Sequence, residues 1–501
     1  MEAFREPIIL GSVAFYMALC IGIGVWAMRR TRSANDFFVA GRSLGPLIVG
    51  LAVFSSTLSG FGFVGGPGLV YSLGMSSVWM VNISAFGYAI GFFLVAKRIR
   101  MIAELRDTIS LPDVLAARYD SEFVRLLTGV TIVLGVLGYL ATQVLAMATV
   151  LQSILSGTQA FAGIDFVTCA ALSSAVLIFY SVTGGIIAGV YTDVVQGLIM
   201  MAAGILVVVT AATAIPAFPG GFADATATIL ADDAEAAMPW GTVGIMGCIA
   251  WFFVFGIGLA GQPHLVTKMM MNRRLSDNRV VLPLAMLGYA VAALLWISIG
   301  VVMRGVVVGG DAAPLDMPDS AAPAFLSAFA HPLLAGVVFA GLFAAIMSTA
   351  DSFLNIGAAA LIHDIPRAIR GRSLGNELFW ARVATVAIAV LSFAFALYSH
   401  FANGRLVALL GAFGWGTFAA ALVPVVMFGL NWKRASRAGA VAAILVSLVV
   451  NFAVELFHIA LPYGINGGYV AFGLAMLAFV GFSLVLKPRP VASDIARVME
   501  L

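Results

Sequence analysis

Long apolar segments restrict what this sequence can fold into. Thirteen of them are long enough to cross a bilayer, which takes about 20 apolar residues in a helix. Lipid offers a backbone no hydrogen-bond partners, and these segments are too long for barrel strands, so we predict an all-α integral membrane protein. The predicted spans lie near 8–28, 46–72, 76–96, 124–154, 160–182, 186–213, 241–266, 282–307, 334–362, 378–399, 406–430, 438–458 and 466–486.

Composition supports a membrane protein. Of the 501 residues, 62% are hydrophobic and 10% are charged, whereas soluble domains carry about 25% charged residues. The three cysteines, Cys20, Cys169 and Cys248, lie in apolar segments, so we expect small core residues and not a disulfide or metal framework.

Basic residues fall on alternate loops. If the N-terminus is outside, all of the 27 Lys and Arg except Arg5, Arg304 and Arg405 face the cytoplasm, and Lys268 counts among these loop residues. The positive-inside rule therefore predicts an external N-terminus and an internal C-terminus. The loops near 214–240 and 309–332 are acidic and predicted external. The net charge of +3 then reflects topology, and we expect no nucleic-acid partner.

Two predicted spans contain helix-breaking residues. Ser55–Gly68 combines serines and a threonine with five glycines and Pro67, and Phe255–His264 holds three glycines and Pro263. An interior glycine costs a helix about 1 kcal/mol and proline about 3 kcal/mol, so both segments favour unwinding. Paired interruptions in two halves indicate a binding site near the bilayer midplane. The alternative is that these glycines only permit close packing.

The interruptions open two units of five spans. This division predicts a first helix with its cytoplasmic loop, a five-helix repeat, an extracellular loop, a second five-helix repeat, and two C-terminal helices with a short cytoplasmic tail. Their boundaries are 1–45, 46–213, 214–240, 241–430 and 431–501.

Polar residues inside the spans are candidates for a cation site. Ser348, Asp351 and Ser352 share one helical face, and Asp193 lies near the inner end of the sixth span. A carboxylate in the bilayer costs at least ~2.5–3.5 kcal/mol unless it is paired. Clustered oxygens suit a hard cation such as Na⁺. Alternatively, the hydroxyls bond to their own helix, and Asp351 is a structural partner or a proton carrier.

Several short motifs recur in order along the chain. They are Gly41-Arg42-Ser43-Leu44-Gly45-Pro46, Ser59-Gly60, Leu111-Pro112-Asp113, Thr183-Gly184-Gly185, Tyr191-Thr192-Asp193, Gln196, Gly261-Gln262-Pro263-His264 and Ala345-Ile346-Met347-Ser348-Thr349. Together they resemble the sodium:solute symporter family, and within it the proline-transporting members. The resemblance runs over nearly the whole chain and implies a LeuT-type inverted repeat of five plus five helices.

The resemblance implies three groups of site residues. A Na⁺ site would use the carbonyls of Ser55, Leu58 and Ala345 with the hydroxyls of Ser348 and Thr349. Some members hold a second cation near positions that match Asp193, Ser348, Asp351 and Ser352, and Asp351 stands where they have a serine. The solute pocket would be formed by Ser56, Phe61, Gly65, Tyr139, Gln143, Phe255 and Leu259.

The mostly apolar pocket suits a small carboxylate or an amino acid. Thr57 stands where the proline-transporting members have an aspartate, so we expect Na⁺ coupling that differs in detail. The expected function is Na⁺-coupled import of a small organic solute by alternating access across the cell inner membrane.

Two other functions compete with this one. The first is a proton-coupled carrier of the same fold that uses Asp351 or Asp193. The second is a membrane solute sensor or a membrane enzyme. Sensors of this family carry a long cytoplasmic signalling domain, whereas about fifteen residues follow the last predicted span. The five scattered histidines form no visible nucleophile–base pair, so we expect no enzyme.

Overall fold

The computed structural model describes residues 5–156, 161, 163–403, 407–457, 459, 461–462, 465–486 and 489–500. Within those ranges the regular secondary structure is helical, apart from an isolated bridge between Leu44 and Asn272. Ten described helices are long and apolar enough to cross a membrane. The predicted all-α membrane class is confirmed. The count is smaller than thirteen because the span near 46–72 is divided into short helices, the helix in the span near 76–96 gives way to a π-helical turn at Phe92–Ala96, and one helix covers two predicted spans. Residues 160, 406 and 458, at the ends of three predicted spans, lie outside the described residues.

The α-helices are numbered in chain order. They are α1 Arg5–Met28, α2 Ala34–Val39, α3 Pro46–Ser55, α4 Gly66–Leu73, α5 Val78–Gly91, α6 Lys97–Leu105, α7 Leu111–Tyr119, α8 Glu122–Ser156, α9 Phe166–Thr213, α10 Phe222–Asp232, α11 Ala234–Ala237, α12 Gly244–Trp251, α13 Pro263–Met269, α14 Asn278–Val308, α15 Ala321–Phe329, α16 Pro332–Ala359, α17 Ile365–Arg370, α18 Glu377–Tyr398, α19 Val407–Val423, α20 Gly429–Asn431, α21 Arg437–Leu456, α22 Gly467–Val485 and α23 Ser493–Met499.

Both predicted helix breaks are confirmed. Helix α3 ends at Ser55, the chain is not helical again until Gly60, and a π-helical turn over Phe61–Gly65 leads into α4. In the second broken span, α12 continues through π-helical and 3₁₀ turns to the extended residue Gln262, and α13 begins at Pro263. Proline early in a helix loses no backbone hydrogen bond, so Pro263 favours a restart at this position.

Helix α9 is 48 residues long and covers two predicted spans. A straight helix of that length would extend ~72 Å, more than twice the thickness of the hydrocarbon core. The backbone leaves the helical region at Gly185, with φ 55° and ψ −148°. Only glycine adopts this conformation without strain, and a Cβ here would lie 2.5 Å from the Phe37 ring. Gly185 therefore separates the two arms of α9.

Helix α16 lies in the middle of the packed helices, against α1, α8, α9 and α18. Every residue from 338 to 360 is buried. A helix buried on all its faces is surrounded by protein and not by lipid, so the polar residues of α16 face other helices. The three cysteines are buried and free, which confirms their prediction as core residues.

The loops differ from their prediction in two details. The segments predicted as external loops contain helices α10, α11 and α15. Lys268, counted with the loop residues, is fully buried, and Arg100 and Arg118 are nearly so. Both arginines donate to backbone carbonyls, Arg100 to Asn272 and Arg118 to Gly429, each at 2.8 Å. Arg100 also pairs with Glu104 at 2.9 Å, so groups of the protein itself bind both guanidinium groups.

Candidate functional site

The break after α3 faces two hydroxyls of α16. Ser348 Oγ lies 2.9 Å from the carbonyl oxygen of Ser55. Thr349 Oγ1 lies 3.1 Å from the carbonyl oxygen of Leu58. The carbonyl of Ala345 lies 3.0 Å from Ser348 Oγ and 3.3 Å from Thr349 Oγ1. The five residues predicted for the Na⁺ site are thus brought together, and all of them are buried.

The local fold explains why carbonyls are available here. The last carbonyls of a helix lack a partner in the next turn, and an early end at membrane depth leaves them directed into the protein. Thr349 also reaches the Ser56 carbonyl, at 3.0 Å, so three carbonyls at the break face α16. The resulting set of neutral oxygens has the chemistry that a small hard cation requires. Its role in binding Na⁺ stays a prediction.

The residues predicted for a second cation have other partners. Asp193 Oδ2 forms a 2.6 Å ion pair with Lys268 Nζ, and both side chains are fully buried. The same ammonium group donates to the carbonyl of Ala52, 3.1 Å away in the last turn but one of α3. Ser352 Oγ donates to the Ser348 carbonyl of its own helix at 3.0 Å. Asp193 therefore has a cation supplied by the chain itself.

Asp351 lies beside this ion pair. Ser181 donates to Asp351 Oδ1 at 2.8 Å, while Oδ2 has no hydrogen-bond partner within the described ranges. The carboxylate packs so closely on Gly189 that a Cβ there would lie 1.8 Å from Oδ2. Gly189 and Asp193 are one turn apart on α9. Asp351, which belongs to α16, therefore packs against the face of α9 that carries Asp193. The Ser181 hydroxyl is a partner for Asp351 of the kind that a structural role requires.

Polar residues predicted for the solute pocket hold the break in place. Ser59 Oγ and the hydroxyl of Tyr139 are 2.9 Å apart, and the amide of Gly60 donates to Gln143 Oε1 at 2.9 Å. Tyr139 and Gln143 are one turn apart on α8, and together they bind the start of the second half of the broken span. Ser56 Oγ instead donates to the Ala52 carbonyl of its own helix at 2.8 Å.

The aromatic residues of the predicted pocket lie together. The rings of Phe61 and Phe255 are parallel, with centroids 5.6 Å apart, and they join the two broken spans. Trp296 meets Phe61 edge-on at 5.7 Å, and Trp415 stacks on Phe255 at 5.9 Å. Gly65 lies in the π-helical turn of the first broken span and is buried. The side chain of Leu259 is buried against Gly87 and Gly91 of α5.

Sequence reasoning missed three residues at this centre. Trp296 and Trp415 lie in helices without a motif, and only the folded chain brings them to Phe61 and Phe255. The third is Lys268, which the pattern of basic residues places in a loop. A signal is present, since Lys268 follows His264 by one helical turn and is followed by three consecutive methionines. An apolar run directly after a lysine indicates burial rather than a water-exposed loop.

A second cluster of charges lies beyond the C-terminal end of α16. The His363 ring contacts Asp113 and Glu377, each at 3.1 Å. Asp113 also pairs with Arg125 and, at 3.4 Å, with Arg367. Asp113, His363 and Asp364 are close enough to share a metal ion. However, two guanidinium groups already face Asp113, so the arrangement is an ion-pair network that joins α7, α8, α17 and α18.

Many apolar helices that surround a buried polar centre, located where two helices are broken, are typical of a many-pass membrane transporter. The model of the sodium:solute symporter family matches residues 37–447, which is most of the chain. This protein belongs to the sodium:solute symporter family. The family resemblance is thereby confirmed, together with transport, symport and Na⁺ as the co-transported ion at the level of the family. These proteins are transporters and not enzymes.

Three curated relatives are each 28% identical to this chain. The high-affinity proline transporter PutP of Bacillus subtilis aligns over 435 residues, 85% of this chain and 87% of that protein. The osmoregulated proline transporter OpuE of the same organism aligns over 508 residues, 98% of each. A sodium/proline symporter of Staphylococcus aureus aligns over 513 residues, 98% of this chain and 95% of that protein.

Two solved structures share the fold. A Na⁺-coupled sialic acid symporter in a substrate-bound outward-open state has a TM-score of 0.76 at 20% identity, covering 96% of this chain and 98% of that chain. MHP1, a nucleobase-cation-symport-1 family transporter in a closed conformation, has a TM-score of 0.56 at 15% identity, covering 93% and 98%. The fold is thus one that membrane cation symporters use.

Proposed function

We propose that this protein imports a small organic solute together with Na⁺ by alternating access. The observation that carries the proposal is the convergence of the Ser348 and Thr349 hydroxyls on the carbonyls of Ser55, Leu58 and Ala345. These oxygens come from two separate helices. An ion held by all five ties the unwound end of α3 to α16.

This tie provides the coupling. A ligand shifts a conformational equilibrium only when it binds the two states with different affinities. In the proposed cycle, Na⁺ enters from outside, joins α3 to α16 and stabilises the outward-open state. The same break carries Ser59 and Gly60, which are bound by Tyr139 and Gln143. Na⁺ therefore shapes the solute pocket, and solute binding closes the outer side before both are released inward.

The Na⁺ gradient supplies enough energy for accumulation. One Na⁺ that crosses ~100 mV contributes ~2.3 kcal/mol. A tenfold concentration gradient adds ~1.4 kcal/mol. At one Na⁺ for each solute, the sum supports an accumulation of several hundredfold.

The proposed solute is a small amino acid or another small carboxylate. The pocket residues combine stacked rings of Phe61 and Phe255 with the hydrogen-bonding groups of Tyr139 and Gln143. Such a lining suits an apolar body with a polar end. The names of three relatives, which are proline transporters, favour the amino acid.

The finer architecture belongs to the same proposal. We infer thirteen spans in the cell inner membrane, an external N-terminus, an internal C-terminus and two inverted five-helix repeats at 46–213 and 241–430. The two broken spans, which each open one repeat, support this division. The kink at Gly185 supports counting α9 as two spans.

Proton coupling is the second candidate. The observation that favours it is Asp351 Oδ2, which is buried and has no hydrogen-bond partner within the described chain. A neutral carboxylic acid is less costly than a carboxylate in such surroundings. A carrier that loads H⁺ on Asp351 would work without Na⁺, so the ion requirement of uptake separates the two candidates.

The first experiment identifies the solute. The purified protein is heated with and without Na⁺ in the presence of amino acids, monocarboxylates, sugars and vitamins. The expected result is a higher Tm for one small amino acid or carboxylate, only in Na⁺, because the proposed pocket forms when Na⁺ is bound. Equal shifts in K⁺ would contradict the proposed coupling.

The second experiment tests the ion site. Uptake of that solute into proteoliposomes is measured at constant pH with an inward Na⁺ gradient. We expect Ser348→Ala with Thr349→Ala to abolish Na⁺-stimulated uptake. Thr385→Ala is the matched control, because Thr385 is buried and, among the described residues, its hydroxyl bonds only to Ala381 of its own helix. Unchanged Na⁺ dependence in the double variant would refute the assignment of the site.

A further inference from the structure

The buried ion pair of Lys268 lies next to the proposed Na⁺ site. Its ammonium group bonds to the carbonyl of Ala52, one turn before Ser55, whose carbonyl faces Ser348. The end of α3 therefore contributes carbonyls to two neighbouring positions. A helix C-terminus attracts positive charge, and the second of these positions is filled by a cation that is part of the chain.

Two carboxylates lie near this ammonium group. Asp193 Oδ2 is 2.6 Å from Lys268 Nζ. The second carboxylate belongs to Asp351. It approaches the ion pair from α16, where its carboxylate packs against Gly189 of α9. All three charged side chains are buried, with exposures of 0% for Asp193, 1% for Lys268 and 1% for Asp351.

Charge balance limits how many further cations this region can take. With both carboxylates ionised, Asp193, Asp351 and Lys268 carry a net charge of minus one. The neighbouring pocket of carbonyls and hydroxyls is neutral, so one Na⁺ bound there brings the buried total to zero. A second Na⁺ would leave an uncompensated positive charge, which a low-dielectric interior strongly disfavours.

We propose that the ammonium group of Lys268 is the fixed counter-ion of the Asp193–Asp351 carboxylate pair, in place of a second Na⁺, so that this chain binds a single Na⁺. This inference rests on the proposed function, because it counts the ions that the proposed symporter binds. Lys268 is a positioning residue in this scheme. It holds α13 to α9 and to the end of α3, which are the elements beside the Na⁺ pocket.

The test counts Na⁺ directly and needs no solute. The full-length purified protein is dialysed against radioactive Na⁺, and the bound ion is measured for each chain. We expect one Na⁺ in the wild type, with a hyperbolic isotherm. Lys268→Met removes the charge and keeps an unbranched side chain, so Asp193 and Asp351 should accept a second Na⁺. The capacity should double, and Na⁺ should raise the Tm of this variant more than that of the wild type.

The matched control is the double variant Asp193→Asn with Lys268→Met, which removes both charges of the pair. We expect it to bind one Na⁺, as the wild type does, because the neutral pocket is untouched. A merely structural ion pair predicts something else for Lys268→Met, namely a lower Tm with no additional Na⁺. This readout separates a counter-ion from a simple packing contact.

Each outcome decides the matter. Two Na⁺ in the wild type, or one Na⁺ in a folded Lys268→Met variant, overturns the inference while the proposed function stands. If Lys268→Met does not fold, the double variant Asp193→Asn with Lys268→Met is the deciding measurement. If it binds no Na⁺, Asp193 is a Na⁺ ligand and the inference is overturned. No Na⁺ bound by the folded wild type would instead refute the proposed function.

Discussion

Two neighbouring regions beside the break in α3 both attract a cation, but they do so with different groups. One is the neutral pocket, where the hydroxyls of Ser348 and Thr349 face backbone carbonyls. The other is the charged cluster of Asp193, Lys268 and Asp351. Partial charges attract a cation weakly enough to release it, whereas an ion pair with a tethered ammonium group is permanent. In the proposed cycle, only the neutral pocket therefore exchanges its ion.

The largest effect is expected from breaking the charged cluster on one side. Asp193→Asn leaves the Lys268 ammonium buried without its carboxylate partner. Removal of one member of a buried ion pair typically costs about 3–5 kcal/mol of stability, because the remaining charge is uncompensated. Thermal unfolding of the purified protein measures this loss.

The control is again Asp193→Asn with Lys268→Met, which should recover most of the lost stability because the unpaired ammonium group is gone. A Tm for Asp193→Asn equal to that of the wild type would mean that water or another group compensates Lys268. In that case the ion pair would not be the permanent contact that distinguishes the charged cluster from the neutral pocket.

The next effect concerns the neutral pocket. Thr349→Ala removes a hydroxyl that faces three carbonyls, those of Ser56, Leu58 and Ala345. A hydroxyl oxygen that coordinates Na⁺ should contribute on the scale of a hydrogen bond to a charged group, about 1.5–3 kcal/mol, so we expect Na⁺ affinity to fall by roughly 10–100-fold. Thr349→Ser keeps the hydroxyl and should retain an affinity close to that of the wild type. Equal losses in both variants would show that packing of the methyl group matters, and not the oxygen.

A smaller effect tests whether α4, the second half of the first broken span, supports the neutral pocket. A Cβ at Gly66 would lie 2.2 Å from the Trp296 ring, whereas a Cβ at Gly62 has its nearest neighbours at an ordinary 3.5 Å. Overpacking costs typically ~1–3 kcal/mol, so Gly66→Ala should displace α4 from α14 and weaken Na⁺ binding. Gly62→Ala should leave it unchanged. If the two variants bind Na⁺ equally well, the position of α4 does not control the pocket.

The two regions also differ in how far the sequence predicts them. The helix breaks follow from glycine and proline costs that are local, so the amino-acid sequence is sufficient to identify Ser55–Gly68 and Phe255–His264. The oxygens of the neutral pocket can be assigned to residues through the family motif. The partner of Asp193 cannot be assigned in this way, because Lys268 is 75 residues away along the chain and the charge pattern places it in a loop. A contact that depends on how α9, α3 and α13 pack has no local signature.

The smallest effect lies at the boundary between the two regions. Ser352 is one turn beyond Ser348 on α16, and its hydroxyl bonds to the Ser348 carbonyl at 3.0 Å. A hydroxyl that bonds back to its own helix stabilises it little, so Ser352→Ala should change stability by less than about 0.5 kcal/mol. Na⁺ affinity, measured by the same dialysis, should also stay the same.

This near-neutral result is informative because Ser352 is one of the residues that the family resemblance implies for a second cation. If Ser352 held a Na⁺, its loss would weaken Na⁺ binding as strongly as Thr349→Ala does. A comparable loss would therefore extend exchangeable ion binding from the neutral pocket into the region of Asp351. An unchanged isotherm instead limits the exchangeable ion to the oxygens contributed by the break in α3 and by the turn of α16 that carries Ala345, Ser348 and Thr349.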